Sequence, residues 1–267
     1  MARRLLNFLE GLFNTAVMIA VVVMGAYAGY ALWDNQQIYS AAENVQAELL
    51  LYKEKAESQT SLFEELRAIN PDVCAWLTLD ETKIDYPIVQ GTTNFTYLNT
   101  DVYGNFSMAG SIFADSRNDR NFRDHYTLVH GHHMSERRMF GDLDLYKDKT
   151  FFDTNKTGIL ILEDRTYQLR TFACLLVESS DPYIFVPEQW QDQDIETLFA
   201  YSEDYALNWD KETIERLIEE KEAAKEGGKH PQILSLATCS GESEDARTIL
   251  LAEMIPYEPA ESGEEEP

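Results

Sequence analysis

The sequence predicts a mainly β fold: a closed or nearly closed barrel, preceded by N-terminal helices and interrupted once by a helical insertion. Three observations carry this. Eight short runs rich in β-branched and aromatic residues, at 75–79, 84–90, 111–114, 126–130, 157–162, 166–178, 232–238 and 248–255, alternate with turn residues. Residues 35–68 contain neither Gly nor Pro and are rich in helix formers. Between the sixth and seventh runs, residues 193–226 hold two helical patterns, split near Asn208-Trp209-Asp210.

From the N-terminus, residues 11–33 carry no charged side chain. At a rise of 1.5 Å per residue, ~20 such residues cross a hydrocarbon core. Arg3 and Arg4 precede the segment and Asp34 follows it, so the positive-inside rule places residues 1–10 in the cytoplasm and the rest outside. Tyr27, Tyr30 and Trp33 gather at the outer end, as an aromatic belt does. A cleaved signal peptide is the alternative, with Ala26-Tyr27-Ala28 as its small-residue site, but the apolar run exceeds a usual signal core. Residues 34–69 form a helical stalk, or two helices that lean on the domain, and Asn70-Pro71-Asp72 ends them. The main domain covers 70–257. Within its insertion Asp210 is placed to cap the second helix and Gly227-Gly228 to end it. Six glutamates and no basic residue fall within 253–267, so 258–267 is expected to be a flexible acidic tail.

The chain has 267 residues, 44% of them hydrophobic, which suits one packed domain plus an anchor. Its 47 acidic residues outweigh 22 basic ones, for a formal charge of -25. Such a surface repels phosphates, so nucleic acid is not an expected partner. The three cysteines, Cys74, Cys174 and Cys239, include no CxxC pair, and an odd number leaves at least one thiol outside any disulfide framework.

Cys239 is the sharpest chemical feature. It closes the alternating run Ile233-Leu234-Ser235-Leu236-Ala237-Thr238, and a polar loop follows. An ordinary thiol, with a pKa near ~8.5, is only a few per cent thiolate at neutral pH, so a nearby base or cation must activate it. Cys174 and Cys74 sit inside apolar runs and fit inert, buried roles. The cluster His130-Gly131-His132-His133-Met134 follows the strand-like Tyr126-Thr127-Leu128-Val129. His130 and His132 are spaced as zinc ligands can be, yet no further His, Asp or Glu spacing completes a site; a base or imidazolium partner for Cys239 fits better. Arg247 opens the next strand-like run, eight residues after Cys239. Its guanidinium suits an oxyanion or a substrate carbonyl, or else an ion pair with Glu242, Glu244 or Asp245.

These residues resemble the sortase signatures. Leu236-Ala237-Thr238-Cys239 is similar to the TLxTC segment, Gly131-His132-His133-Met134 to GHxM, and Arg247 to the arginine that follows the cysteine. Asn70-Pro71-Asp72-Val73-Cys74-Ala75-Trp76-Leu77 resembles the entry segment of class B sortases. The same holds for Asp85-Tyr86-Pro87-Ile88-Val89-Gln90-Gly91, for Gly110-Ser111-Ile112-Phe113-Ala114-Asp115-Ser116-Arg117-Asn118 and for Met139-Phe140-Gly141-Asp142-Leu143. The chain departs from the pattern at Ser235, at Ala237 and at His130, where an aromatic residue is common.

The resemblance implies an eight-stranded sortase-type barrel with a helix inserted between strands six and seven. It implies a membrane-anchored transpeptidase, single-pass with its catalytic domain outside, that needs neither cofactor nor metal. Cys239 would attack a backbone carbonyl within the sorting signal of a surface protein and form a thioester. An amine of a peptidoglycan precursor would then release it. His132 would pair with the thiol and protonate the leaving amine, Arg247 would hold the carbonyl oxygen, and Ala237 and Thr238 would contact substrate. A pilin-polymerising sortase, a thiol peptidase that only hydrolyses its acyl-enzyme, and a non-enzymatic adhesin are the alternatives.

Overall fold

The computed structural model describes residues 2–192, 195–224, 230–239 and 245–257. The chain divides into two units, Met1–Ala42 and Glu43–Pro267. The first is helical throughout its described residues, the opening part of α1 (Ala2–Lys55). Helix α1 contains a segment long and apolar enough to cross a membrane, by length and composition.

In the second unit the remainder of α1 is followed by α2 (Gln59–Ile69). Ser58 starts α2 with a reciprocal cap. Its hydroxyl accepts from Ser61 N at 3.1 Å, and the Ser61 hydroxyl accepts from Ser58 N at 3.0 Å. The inward face of α2, Leu62, Phe63 and Leu66, packs with Leu49 against Val73, Trp76, Val89 and Phe113 of the sheet. These helices therefore lean on the domain.

The strands are β1 (Val73–Leu79), β2 (Asp85–Val89), β3 (Ile112–Ala114) and β4 (Tyr126–Gly131), then the two-residue strands β5 (His133–Met134) and β6 (Arg138–Met139). Helix α3 (Lys149–Thr154) precedes β7 (Thr157–Ile161) and β8 (Thr166–Glu178). The insertion holds α4 (Pro182–Phe185), α5 (Gln189–Asp192), α6 (Ile195–Tyr205), β9 (Ala206–Trp209) and α7 (Lys211–Ala224). Strands β10 (Ile233–Cys239) and β11 (Ala246–Pro256) complete the chain. The sheet order is β11-β10-β4-β3-β2-β1-β7-β8-β9, and an added β11–β8 pairing closes the first eight into a barrel. These eight are the eight runs expected from the sequence.

Helices α3, α4 and α5 were not anticipated, nor were two short strand elements, the β5–β6 hairpin and β9. Strand β8 explains the second. Its thirteen residues pair with β11 along one edge, whereas β7 covers the other edge only as far as Arg170. Strand β9 takes over at Ala173–Leu175 and leaves less of that edge unpaired. The core beneath the insertion joins Phe172, Leu175, Ile249 and Leu251 of the barrel to Leu198, Phe199, Ile214 and Leu217 of α6 and α7. Asp210 caps α7 as expected, accepting from Thr213 N at 3.3 Å, while its other oxygen pairs with Lys156. The expected stop at Gly227-Gly228, the acidic tail and the loop at 240–244 lie outside the described residues.

Phe63 is fully buried between α2 and the sheet. Phe63→Ala is expected to cost about 3–5 kcal/mol in urea unfolding. A loss below ~1 kcal/mol would show that α2 is not part of the folded unit.

Candidate active site

The backbone register gathers the three residues singled out for chemistry. Strand β10 lies between β4 and β11. Its last residue, Cys239, is the direct partner of Arg247 on antiparallel β11. One residue earlier, Thr238 partners Gly131 on parallel β4. His132 directly follows Gly131, just past the end of β4, as Cys239 directly follows Thr238. At about 4.8 Å per strand step, positions 132, 239 and 247 span roughly 10 Å of backbone at one rim of the barrel.

A cavity of about 150 Å³ opens at this rim. His132, Arg247, Ala237 and Thr238 all line it, with aromatic walls from Phe113, His130 and Phe185. The Thr238 hydroxyl is buried and has no hydrogen-bond partner among the described residues. A buried, unsatisfied hydroxyl beside an opening is available to a ligand at a gain that a solvated one does not offer.

His132 is half-buried, and its Nε2 lies 2.7 Å from the Leu98 carbonyl. A carbonyl oxygen only accepts, so Nε2 carries the proton and donates, which leaves Nδ1 of the neutral ring as the basic nitrogen. The turn that presents Leu98 depends on Gly110. Its φ is +57°, and an added Cβ would come within 2.4 Å of the Leu98 oxygen. Gly131, beside His132, is similarly confined, since a Cβ there would meet Ile112 and the Phe140 ring at 2.5 and 2.7 Å. The Arg247 Nη1 donates to the Ala246 carbonyl at 2.9 Å. Its expected alternative partners Glu242 and Glu244 lie outside the described residues.

The two neighbouring histidines have separate engagements. His133 Nε2 lies 2.8 Å from Asp144 Oδ2, and Asp144 Oδ1 accepts from the Thr248 hydroxyl at 3.3 Å. One carboxylate thus ties the residue after His132 to the residue after Arg247. Burial pushes the Asp144 carboxyl up, but hydrogen bonds from His133 and Lys147 outweigh it and hold the pKa at about 2. His130 Nε2 lies 3.1 Å from Asp115 Oδ2, and the ring stacks between Phe113 and Phe185. Burial also raises the Asp115 carboxyl, yet Arg117 and His130 hold it well below the usual carboxylate range. Among the described residues no group of three or more His, Cys, Asp or Glu is arranged to hold a metal ion.

Cys74 and Cys174 are buried, as expected for inert thiols. Burial pushes the Cys74 thiol up to about 12, and its Sγ donates to the Ile88 carbonyl at 3.3 Å. Leu98, Phe185, Asp115, Arg117 and Asp144 were not identified as site residues from the sequence. Several of their contacts are distant in sequence, 15 positions for Asp115 with His130, 34 for Leu98 with His132, 68 for Arg117 with Phe185 and 104 for Asp144 with Thr248, and no local spacing signals these.

No family model matches the chain. It is 32% identical over 177 residues to sortase B of Staphylococcus aureus, covering 64% of this chain and 72% of that one. It is 27% identical over 256 residues to sortase B of Listeria monocytogenes, covering 93% and 98%. A solved class B sortase of Streptococcus pyogenes, involved in pilus biogenesis, superposes with a TM-score of 0.62 at 30% identity, covering 72% of this chain and 97% of that structure. These sortase relatives, together with the eight-stranded barrel, define an enzyme of the cysteine transpeptidase type. Within that class, the chain belongs to the class B sortase family.

The Asp144 ties carry a pH signature. A depressed carboxyl stabilises the fold fully above its unfolded pKa of ~3.9, and the gain is lost as pH falls towards the folded value. Asp144→Asn is expected to lower Tm at about pH 6, with the deficit shrinking as pH falls towards ~2.5. A deficit independent of pH would remove the carboxylate from this role.

Proposed function

We propose that the chain is a membrane-anchored sortase that cleaves a C-terminal sorting signal and passes the acyl group to an amine of a cell-wall precursor. The observation that supports this is the register that sets Cys239 against Arg247 and Thr238 against Gly131, the residue before His132, with His132, Thr238 and Arg247 lining one cavity. Residues 11–33 serve as the anchor, with 1–10 cytoplasmic and 34–69 as a helical spacer. Residues 70–257 are the extracellular catalytic domain and 258–267 an acidic tail. The 50-residue apolar-led helix segment near the N-terminus and the relative matched over 93% of this chain support that layout.

The Cys239 sulfur attacks the scissile carbonyl carbon as a thiolate. The tetrahedral oxyanion is held by the Arg247 guanidinium, whose planar donors suit developing negative charge. The His132 imidazolium gives its proton to the departing amine, and the C–N bond breaks to leave a thioester on Cys239. The now neutral imidazole takes a proton from the incoming amine as it attacks. Collapse releases the new amide and returns the thiolate. Ala237 and the Thr238 hydroxyl, which has no partner among the described residues, contact the substrate backbone. No metal or cofactor enters this scheme.

A second acceptor class has one observation behind it: the similar Streptococcus pyogenes enzyme is involved in pilus biogenesis, where the amine would be a lysine of another subunit. The soluble domain, incubated with sorting-signal peptides with and without amine nucleophiles, separates the cases. Amine-dependent ligation is expected; hydrolysis alone under every condition would indicate a thiol peptidase. Cys239→Ala is expected to abolish acyl-enzyme formation, whereas Cys174→Ala keeps most activity. Equal loss in both, with the fold intact, would overturn the assignment. A chelator is expected to leave turnover unchanged; inhibition reversed by zinc would revive a metal role for His130 and His132.

A further inference from the structure

The wall of the cavity formed by α4 is held from three sides. Helix α4 is a single turn, so its carbonyls lack helical partners. Three consecutive ones are taken instead by side-chain donors from separate elements. Trp190 Nε1 donates to Tyr183 O at 2.9 Å, the Tyr126 hydroxyl to Ile184 O at 2.9 Å, and Arg117 Nη2 to Phe185 O at 2.7 Å. The first two donors belong to the buried core. The third is a half-buried guanidinium, and a second element fixes it in place.

That element is the fully buried Asp115, just past β3. Arg117 grips its carboxylate with Nε and Nη2, both at 2.8 Å, and Asn94 Nδ2 donates to it at 2.8 Å. The same carboxylate accepts from His130 Nε2. One buried charge therefore orients two groups that meet at the cavity: the His130 ring, and the arginine that holds the carbonyl of Phe185. The Phe113 and His130 rings lie 5.1 Å apart, and those of His130 and Phe185 6.3 Å apart at an interplanar angle of 14°. A surface ion pair contributes little to stability, so a bidentate pair on a buried carboxylate with a third bond to a cavity wall calls for another role.

We infer that Asp115 and Arg117 are positioning residues for substrate: through the Phe185 carbonyl and the His130 ring they hold the aromatic wall of the cavity ready to receive a peptide. The inference deepens the proposed function and rests on it. A wall fixed before binding spares the ordering cost that a mobile one imposes on each peptide.

Two measurements on the full chain test it. Hydrogen exchange over residues 182–190 needs no substrate. Arg117→Ala is expected to speed it by about tenfold or more while strands β4 and β10 keep their protection. Unchanged exchange overturns the positioning role whatever the chain's activity. Peptide affinity is then read in the Cys239→Ala background, with the sorting-signal peptide that acylates the wild-type chain fastest. Arg117→Ala and Phe185→Ala are each expected to weaken binding by about tenfold, and the double variant by no more than either alone. Additive losses, or a lowered Tm with unchanged affinity, overturn the claim that Arg117 acts through Phe185. Should Arg117→Ala fail to fold, Arg117→Lys keeps a cation on Asp115 without the planar fork, and the same loss of affinity is expected. A chain that shows the expected exchange but is acylated by no peptide contradicts the functional proposal instead.

Discussion

The backbone ladder that seats β10 between β4 and β11 is the constraint on which the site depends. A cysteine far from the histidine in sequence has to arrive beside it, and hydrogen-bond register is what sets the level at which strands meet. A slip of one residue would turn each β10 side chain to the opposite face of the sheet. Ile233, Leu234, Leu236 and Ala237 are all buried, so both faces of the strand are covered and the ladder itself sets the register. Antiparallel pairing on one side sets Cys239 against Arg247, and parallel pairing on the other sets Thr238 against Gly131, one residue before His132.

Around that ladder, two carboxylates, the partly exposed Asp144 and the buried Asp115, tie elements together. Asp144 joins the segment after His132 to the strand that carries Arg247. Asp115 joins β3, His130 and the α4 wall. Both are kept ionised by cationic or N–H donors that outweigh the cost of burial. Their presence beside a reactive rim agrees with the expectation that strongly perturbed groups gather at functional sites. The thiols show the complementary pattern, with Cys74 and Cys174 buried away from the rim.

The barrel was legible in the sequence because each of its strands is an alternating or apolar run bounded by turn residues, a pattern that needs no distant partner to be recognised. Strand β9 was not, because Ala206-Leu207-Asn208-Trp209 is too short for periodicity and exists to cover an edge of β8. The β5–β6 hairpin has two residues per strand and was equally silent. Within the site, the cysteine and histidine segments were visible through local chemistry and motif. The wall residues were not, since Phe185 becomes part of a cavity only when Arg117, sixty-eight positions earlier, reaches its carbonyl. His130 was noted as an alternative metal ligand, and its contact with Asp115 depends on a carboxylate fifteen residues back on another strand.

The central claim is that the residue at the end of β10 carries the acyl group. Mass spectrometry of the wild-type chain after brief exposure to a library of sorting-signal peptides tests it most directly. The account requires a hydroxylamine-sensitive acyl adduct on Cys239, absent when His132 or Arg247 is replaced by alanine. An adduct on Cys74 or Cys174, or an unmodified Cys239 while peptide is consumed, would contradict it.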